Sequence, residues 1–456
     1  MEEHGKKLNM ANIFGLGLGG AIGSGIFVLL GFGIAFTGRS IVLVCVGGCL
    51  FMLLAYMYNV IMSAMFVFKG GDYSQKALLF SPLMTGFSAT MTLVNSMAMS
   101  SYALAIVGYI ASVVPGVEPY TRVLAILIMT LFFASSIKGS RFITLIENAM
   151  TIVLIAAIAL FVVFGIPQIK PGYFSNVDGG FFKGGLGGFL SAIAIMGWAC
   201  QGTTMAPVSL GAVTEKPKRT IPIGILWVTI ALAVIYGAMS LVAAGVLPYD
   251  KVAGANLSVT AKAIFPNGLY IAFILGGGIC AIATSLLGGI AMLRYPLMKI
   301  AEDGWLPGVF KKETKSGYPW VIQLTFYLLS VVPILLGFSL DALISLVMIP
   351  SMLMNLYLNL ACITLPKRYP EQWKKSTLRM PLALYYVICV LSAGCAGLVA
   401  FNLFKDLKGK DMIASIIIIA ICFAVSILRL ATGAVKKEQL AENRVQIVTQ
   451  SLADDI

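Results

Sequence analysis

The sequence predicts an all-α membrane protein of twelve transmembrane helices, and three observations carry that expectation. Apolar runs of about twenty residues, each enough to cross the hydrocarbon core, recur from end to end of the 456 residues; 59% of the chain is hydrophobic and only 11% charged. Lys and Arg alternate in density between successive connections. Two runs, one near the start and one near the middle, are broken by glycine or proline at a depth where lipid cannot satisfy the freed peptide groups.

The spans fall at about 12–36, 39–66, 83–113, 120–138, 142–166, 186–210, 220–246, 268–298, 320–338, 340–364, 380–403 and 412–434. With both termini cytoplasmic, the inner segments and the span ends beside them hold 23 of the 32 Lys and Arg residues, which is the positive-inside asymmetry. The formal charge of +13 therefore orients the chain and calls for no nucleic-acid partner. Met1 to Met10 is short, charged and continuous with the first run, so no cleavable signal peptide is expected. All eight cysteines lie in apolar runs without metal-ligand spacing, which reads as helix packing.

Span 1 contains Gly15-Leu-Gly-Leu-Gly-Gly-Ala-Ile-Gly-Ser-Gly-Ile-Phe27. So many glycines in one helix predict a mid-membrane break, which must line a polar cavity or be buried in protein. Span 2 carries Gly47-Gly48, small enough for close helix approach. Span 3 is rich in small polar residues, among them Ser88, Thr92, Asn95, Ser96 and Ser100; these either face a cavity or bond between helices. Glu147 in span 5 is the most embedded acid, and its expected partner is Arg141, six residues away. Span 6 holds the second irregular region, Met196-Gly-Trp-Ala-Cys-Gln-Gly-Thr-Thr-Met-Ala-Pro207. If residues 10–166 and 186–364 are two five-helix repeats, spans 1 and 6 are equivalent, and paired interrupted spans point to a transport site. Span 8 opens with Gly276-Gly-Gly278 and runs through Ala281-Ile-Ala-Thr-Ser285; span 10 carries Asn355 and Asn359. Residues 380–434 supply two further helices, and the polar tail at 435–456 is expected to be loosely ordered.

Three motifs in order, Ala21-Ile-Gly-Ser-Gly-Ile-Phe27, Lys216-Pro-Lys-Arg-Thr-Ile-Pro222 and Ile300-Ala-Glu-Asp-Gly-Trp-Leu-Pro307, resemble those of the amino acid–polyamine–organocation transporter superfamily, of the bacterial amino acid permease and exchanger type. The likeness covers essentially the whole chain. It implies a 5+5 inverted repeat with broken helices 1 and 6, two C-terminal helices, alternating access, and a location in the cytoplasmic membrane. It also implies that amides around Gly23, Ser24 and Gly25 hold a substrate carboxylate, a role that suits uncapped N–H groups at a half-helix N-terminus. Carbonyls at Ile22, Trp198 and Gln201 would take the substrate amine, and Trp198 resembles the aromatic gate of basic amino acid exchangers. Gly202, Thr204 and Asn95 complete the expected pocket.

Departures from the family narrow the reading. Thr204 stands where arginine–agmatine exchangers carry a glutamate, and spans 1, 3, 6, 8 and 10 have no acid near mid-depth. A dry pocket without an anion disfavours a guanidinium or second ammonium, so a small or neutral zwitterionic amino acid is expected; polyamines or cationic amino acids are the alternative. Leu154 occupies the place of a span-5 lysine found in proton-coupled relatives. Gly19, Ile22, Ala281, Thr284 and Ser285 resemble the sodium site of sodium-coupled members, so a coupling Na+ is open beside uncoupled exchange, and no other cofactor is expected. Hydroxyls bonding within their own helix are the plain alternative. Catalysis is not expected, since the spans lack His paired with acid and any metal cluster, and a channel would show a polar stripe that is missing. An amino-acid-sensing receptor of the same fold would share the binding chemistry. Membrane lipid and the amino acid are the expected partners; no obligate protein partner is.

Overall fold

The computed structural model describes residues 7–453 except 69, 138–139, 176–179, 212–213, 315–318, 339 and 408; at 24, 140–145, 147–148, 205–206, 209, 291–295 and 340–341 it describes the backbone alone. Among the described residues the chain is helical, and the one β contact is the isolated bridge between Leu8 and Thr214. α1 (Met10–Ala21) and α2 (Ser24–Thr37) occupy the first predicted span, and α3 (Ile41–Ala55) and α4 (Met57–Ser63) the second. α5 (Gly71–Leu79) connects to the third, made of α6 (Pro82–Val94) and α7 (Met99–Ala111) around a 3-10 turn at Asn95–Ala98. α8 (Thr121–Ser136), α9 (Ser140–Gly165), α10 (Gly185–Cys200), α11 (Gly202–Ser209) and α12 (Pro217–Gly245) follow. After short α13 (Tyr249–Val252) and α14 (Ser258–Ile264), α15 (Asn267–Phe273) and α16 (Cys280–Glu302) flank a π-helical turn at Ile274–Ile279. The remainder comprises α17 (Trp320–Leu336), α18 (Leu340–Cys362), α19 (Leu365–Arg368), α20 (Pro370–Lys374), α21 (Leu382–Asp406), α22 (Gly409–Ala431) and α23 (Lys437–Ala453).

Ten stretches among the described residues are long and apolar enough to cross a membrane, with 25–55 forming one of them; α1 and α17 are apolar but shorter. α2 packs on α10, α1 on α11 and α12, and α3 on α12, so the first predicted span lies against the sixth and seventh. α18 packs on α21, and α6 on α22. Both chain ends gather at one pole: Glu215 N–H donates to the Leu8 carbonyl at 2.8 Å, Lys218 Nζ to the Ser451 carbonyl at 2.6 Å, and Val67 N–H to Ser451 Oγ at 3.1 Å.

Four findings depart from the sequence reading. The second predicted span is broken at Tyr56 (φ −106°, ψ 19°), and the break is spliced from α18, where Asn359 Oδ1 accepts from Tyr58 N–H at 2.9 Å and its Nδ2 donates to the Ala55 carbonyl at 3.0 Å. Span 3 tightens at Asn95–Ala98, and the triple glycine of span 8 forms the π turn. The tail is an ordered, docked helix: Arg444 donates to the carbonyls of Ala77 (2.8 Å) and Phe80 (2.6 Å), and Asn443 Nδ2 donates to Asp303 at 3.1 Å. Burial, then neighbouring Arg368, hold the Arg444 guanidinium below its ordinary pKa. The side chains of Arg141 and Glu147 lie outside the described residues.

Candidate functional site: a cavity at the span-1 break

The break predicted in span 1 falls at Ile22 and Gly23. Ile22 N–H still donates to the Leu18 carbonyl at 2.8 Å, closing α1, but Ile22 is extended (φ −78°, ψ 101°) and Gly23 is also non-helical (φ −153°, ψ −146°). α2 then starts at Ser24 with no side-chain cap. Its first N–H groups therefore lack intrahelical acceptors and carry the positive end of the helix dipole. The freed carbonyl of Ala21 is satisfied by the Tyr236 hydroxyl at 2.9 Å, so α12 supports the break from behind.

The span-6 interruption is milder than the sequence suggests. Only Gln201 leaves the α-helical assignment, and it keeps right-handed helical dihedrals (φ −80°, ψ −20°). Its N–H reaches the Gly197 carbonyl at 3.0 Å, and its own carbonyl accepts from Thr204 N–H at 3.3 Å, a one-residue tightening rather than an unwound segment. The two interruptions lie back to back. A Cβ on Gly25 would fall 2.4 Å from Ala199 Cα, and one on Gly202 would fall 2.9 Å from Ala21 Cα. Bare backbone meets bare backbone there, as small residues allow.

A cavity of about 210 Å³ opens on this junction, lined by Gly23 and Gly25 of the break, Asn95 of the 3-10 turn, Trp198, Gln201 and Gly202 of span 6, and Thr284 and Ser285 of α16. Those expected site residues are thus brought together. Of the others, Ile22 and Thr204 are buried outside the lining, Thr204 with its hydroxyl 3.3 Å from the Gln201 carbonyl; the Ser24 side chain lies outside the described residues. Thr284 and Ser285 both donate to the Ala281 carbonyl, at 2.9 and 3.2 Å. A Cβ on Gly23 would meet Ser285 Oγ and lie 3.5 Å from that carbonyl, which sets the α16 oxygens against the break. A Cβ on Gly19 would instead meet Thr151 at 3.5 Å, and Leu154 is buried.

Several lining residues escaped the sequence reading. The Tyr56 hydroxyl, at the splice in span 2, donates to Gln201 Oε1. Asn355 lies beside the same hydroxyl. Tyr102 packs near Trp198, ring centroids 6.3 Å apart, and that pair also borders a void of about 10 Å³ beside Val28, Leu29 and Ile344. Towards the pole that carries both chain ends the cavity reaches Asp72, Tyr73 and Lys76 of α5. Lys76 pairs with Asp72 at 2.5 Å, and Tyr58 donates to the same carboxylate at 3.1 Å. Tyr73 donates to Asp303 at 2.8 Å and accepts from Trp305 Nε1 at 2.9 Å; burial, then the Asp303 carboxylate, raise its hydroxyl pKa, so it stays a donor.

A helical membrane protein whose interior cavity is built at a broken helix has the form of a solute carrier. Comparison with known proteins agrees. Residues 8–435 match the family model described as amino acid permease, and the chain belongs to that family, which is one of permeases and not of enzymes. It is 27% identical over 404 residues to the methylthioribose transporter of Bacillus subtilis, covering 83% of this chain and 84% of that one. It is 25% identical over 385 residues to a branched-chain amino acid permease of the same organism, covering 78% and 80%. A D-serine/D-alanine/glycine transporter of Escherichia coli is 24% identical over 327 residues, 67% of each.

Proposed function

We propose that this chain is a secondary carrier of small or neutral zwitterionic amino acids, working by alternating access across the cytoplasmic membrane, with twelve spans, a 5+5 inverted repeat and both termini in the cytoplasm. The observation that carries the reading is the uncapped start of α2, whose amides open into a cavity. An α-carboxylate suits that site; for the α-ammonium the expected carbonyls are those of Trp198 and Gln201, both lining residues, while Ile22, buried outside the lining, would serve only after the break shifts. The acid and base that line the cavity neutralise one another, which favours a solute of no net charge over a polyamine. Trp198, its ring tilted 44° to that of Tyr102, serves as the outer gate, and the cavity's reach to Asp72 and Lys76 corresponds to an inward-facing state. The named substrates of two relatives, branched-chain amino acids and D-serine, D-alanine and glycine, lie within the proposed class.

Uncoupled exchange is the simplest energetics, because it requires no coupling ion. A second reading, sodium symport, is supported by the position of Ser285 against Gly23, where Ala281, Thr284 and Ser285 would supply oxygens to a monovalent cation. Counterflow by purified protein in liposomes, across a panel of amino acids and diamines at fixed sodium and pH, tests both. Saturable exchange of alanine- or serine-type solutes is expected. Binding without any exchange would convert the carrier into a receptor, and diamine uptake without amino acid uptake would overturn the substrate class. Uptake that rises steeply with external sodium and loses that dependence in Thr284→Ala/Ser285→Ala would establish symport.

A further inference from the structure

The wall of the cavity away from the α2 amides is not apolar, as it would be for a site that reads only hydrocarbon. Asn355 of α18 is 1% exposed, lines the cavity, and has no hydrogen-bond partner for Nδ2. Asn95, on the 3-10 turn that packs against α18, lines the same cavity, and its Oδ1 is likewise buried and unpaired. Several neighbouring polar groups are already committed. The Tyr56 hydroxyl donates to Gln201 Oε1, Thr92 Oγ1 donates to the Ser88 carbonyl at 2.9 Å, and Thr284 and Ser285 donate to Ala281. Two carboxamides from different helices therefore line one small space, each with one amide atom left unpaired, Asn355 beside the Tyr56 hydroxyl. A buried polar atom left in that condition carries a desolvation penalty that a matching ligand removes.

We propose that Asn355 and Asn95 form a subsite for the substrate side chain, and that it selects neutral amino acids whose side chain bears a hydroxyl. This rests on the carrier reading above and narrows its substrate class. A hydroxyl both donates and accepts, so it can pair with either carboxamide whichever way that carboxamide is turned. A hydrocarbon side chain of the same size fills the space but leaves the amides unpaired. Sites built to bond a substrate hydroxyl reject the analogue lacking it far more strongly than apolar pockets discriminate by size. Met99, Val347 and Met348 also line the cavity and supply the apolar contact that a side chain such as threonine's needs on its methyl face.

The test is competition in counterflow with the full-length protein, comparing threonine with 2-aminobutyrate and valine, which resemble it in size but lack the hydroxyl, and serine with alanine. Threonine and serine should compete better than their partners on the order of tenfold to a hundredfold. In Asn355→Leu that ratio should collapse to within a few-fold or invert towards valine; Asn355→Ala, read the same way, stands in if the leucine variant does not fold, as judged by monodispersity and thermal melting. Equal competition by threonine and 2-aminobutyrate in the wild type, or a preference untouched by both variants, would overturn the subsite while leaving a neutral amino acid carrier intact. Failure of folded wild-type protein to exchange any member of the panel, alanine included, would strike the carrier reading itself.

Discussion

Replacing Gly25 with alanine is the sharpest probe of the junction between the two interrupted spans. The added Cβ would sit 2.4 Å from Ala199 Cα, 2.5 Å from Ala199 Cβ and 3.1 Å from Ala199 N. Carbon atoms settle at about 3.5–4.0 Å, so α2 and α10 must part by roughly 1 Å, and no flexible side chain can absorb the change because the obstructing atoms are backbone. Overpacking of this kind typically costs about 1–3 kcal/mol. The displacement also widens the space between the α2 amides and Trp198, the two sides of the proposed site. Gly15→Ala is the control: its Cβ would meet nothing within 4 Å, and alanine in a helix is favoured over glycine by about 1 kcal/mol. Thermal melting in detergent and counterflow in liposomes should therefore separate the pair, Gly25→Ala melting lower with exchange down at least tenfold, Gly15→Ala melting at or above the wild type with exchange retained. A Gly25→Ala protein as stable and active as its parent would refute the back-to-back arrangement.

The other expectations are as specific. Asn359→Leu leaves the Ala55 carbonyl and the Tyr58 N–H unpaired at the span-2 splice, at about 1–3 kcal/mol for each buried group; a clear fall in melting temperature is expected, and an unchanged melt would show that the splice is satisfied another way. Arg444→Ala removes the donors that hold α23 to Ala77 and Phe80, so amide exchange along 437–453 should quicken by about tenfold or more, as loss of charge-assisted bonds of about 1.5–3 kcal/mol each implies; unaltered protection would mean that the other contacts suffice. Lys76→Met strips the counter-charge from Asp72 in the cavity wall, and a lone carboxylate there should make exchange newly sensitive to inhibition by putrescine, with insensitivity equal to the wild type counting against the neutral-wall reading.

What could be seen in the sequence was whatever announces itself locally. Six glycines within Gly15–Phe27 can be read as a break without knowing any partner, and the break is there, at Ile22 and Gly23. Trp198 enters the pocket through the resemblance to the family's aromatic gate, and it lines the cavity. The glycines do not all serve one purpose, however: Gly23 and Gly25 make room at the junction, Gly17 makes room for Val228, and Gly15 touches nothing. Composition cannot tell those apart, because the distinction lies in what arrives from the other side. For the same reason the break in span 6 was read as deeper than it is. Glycine and proline permit unwinding, but Gln201 stays helical once α1 is packed against it.

The partnerships that sequence reading missed act across long separations. Tyr56 meets Gln201 from 145 positions away and Asn359 splices Tyr58 from 301, while Arg444 reaches Ala77 from 367. Each looks ordinary in its own window, a tyrosine or asparagine in an apolar run or an arginine in a polar tail.

These long-range partners bear on how an interior so poor in charge would recognise the proposed zwitterionic solute. Gly23 and Gly25 at the uncapped start of α2 line the cavity, the Asp72–Lys76 pair among its described lining residues is closed on itself, and carboxamides and hydroxyls supply further polarity. Fixed dipoles of this sort cost little to leave vacant, whereas an unpaired buried ion would cost several kcal/mol whenever the site emptied. A carrier must pass through the empty state on some route in every cycle, or swap one solute for another without lingering there. A wall of dipoles tolerates both, and it holds a zwitterion firmly only while the carboxylate and ammonium are engaged together. That dual requirement ties the proposed neutral substrate class and the proposed exchange mechanism to a single physical cause, so evidence for a net-charged substrate would weaken both.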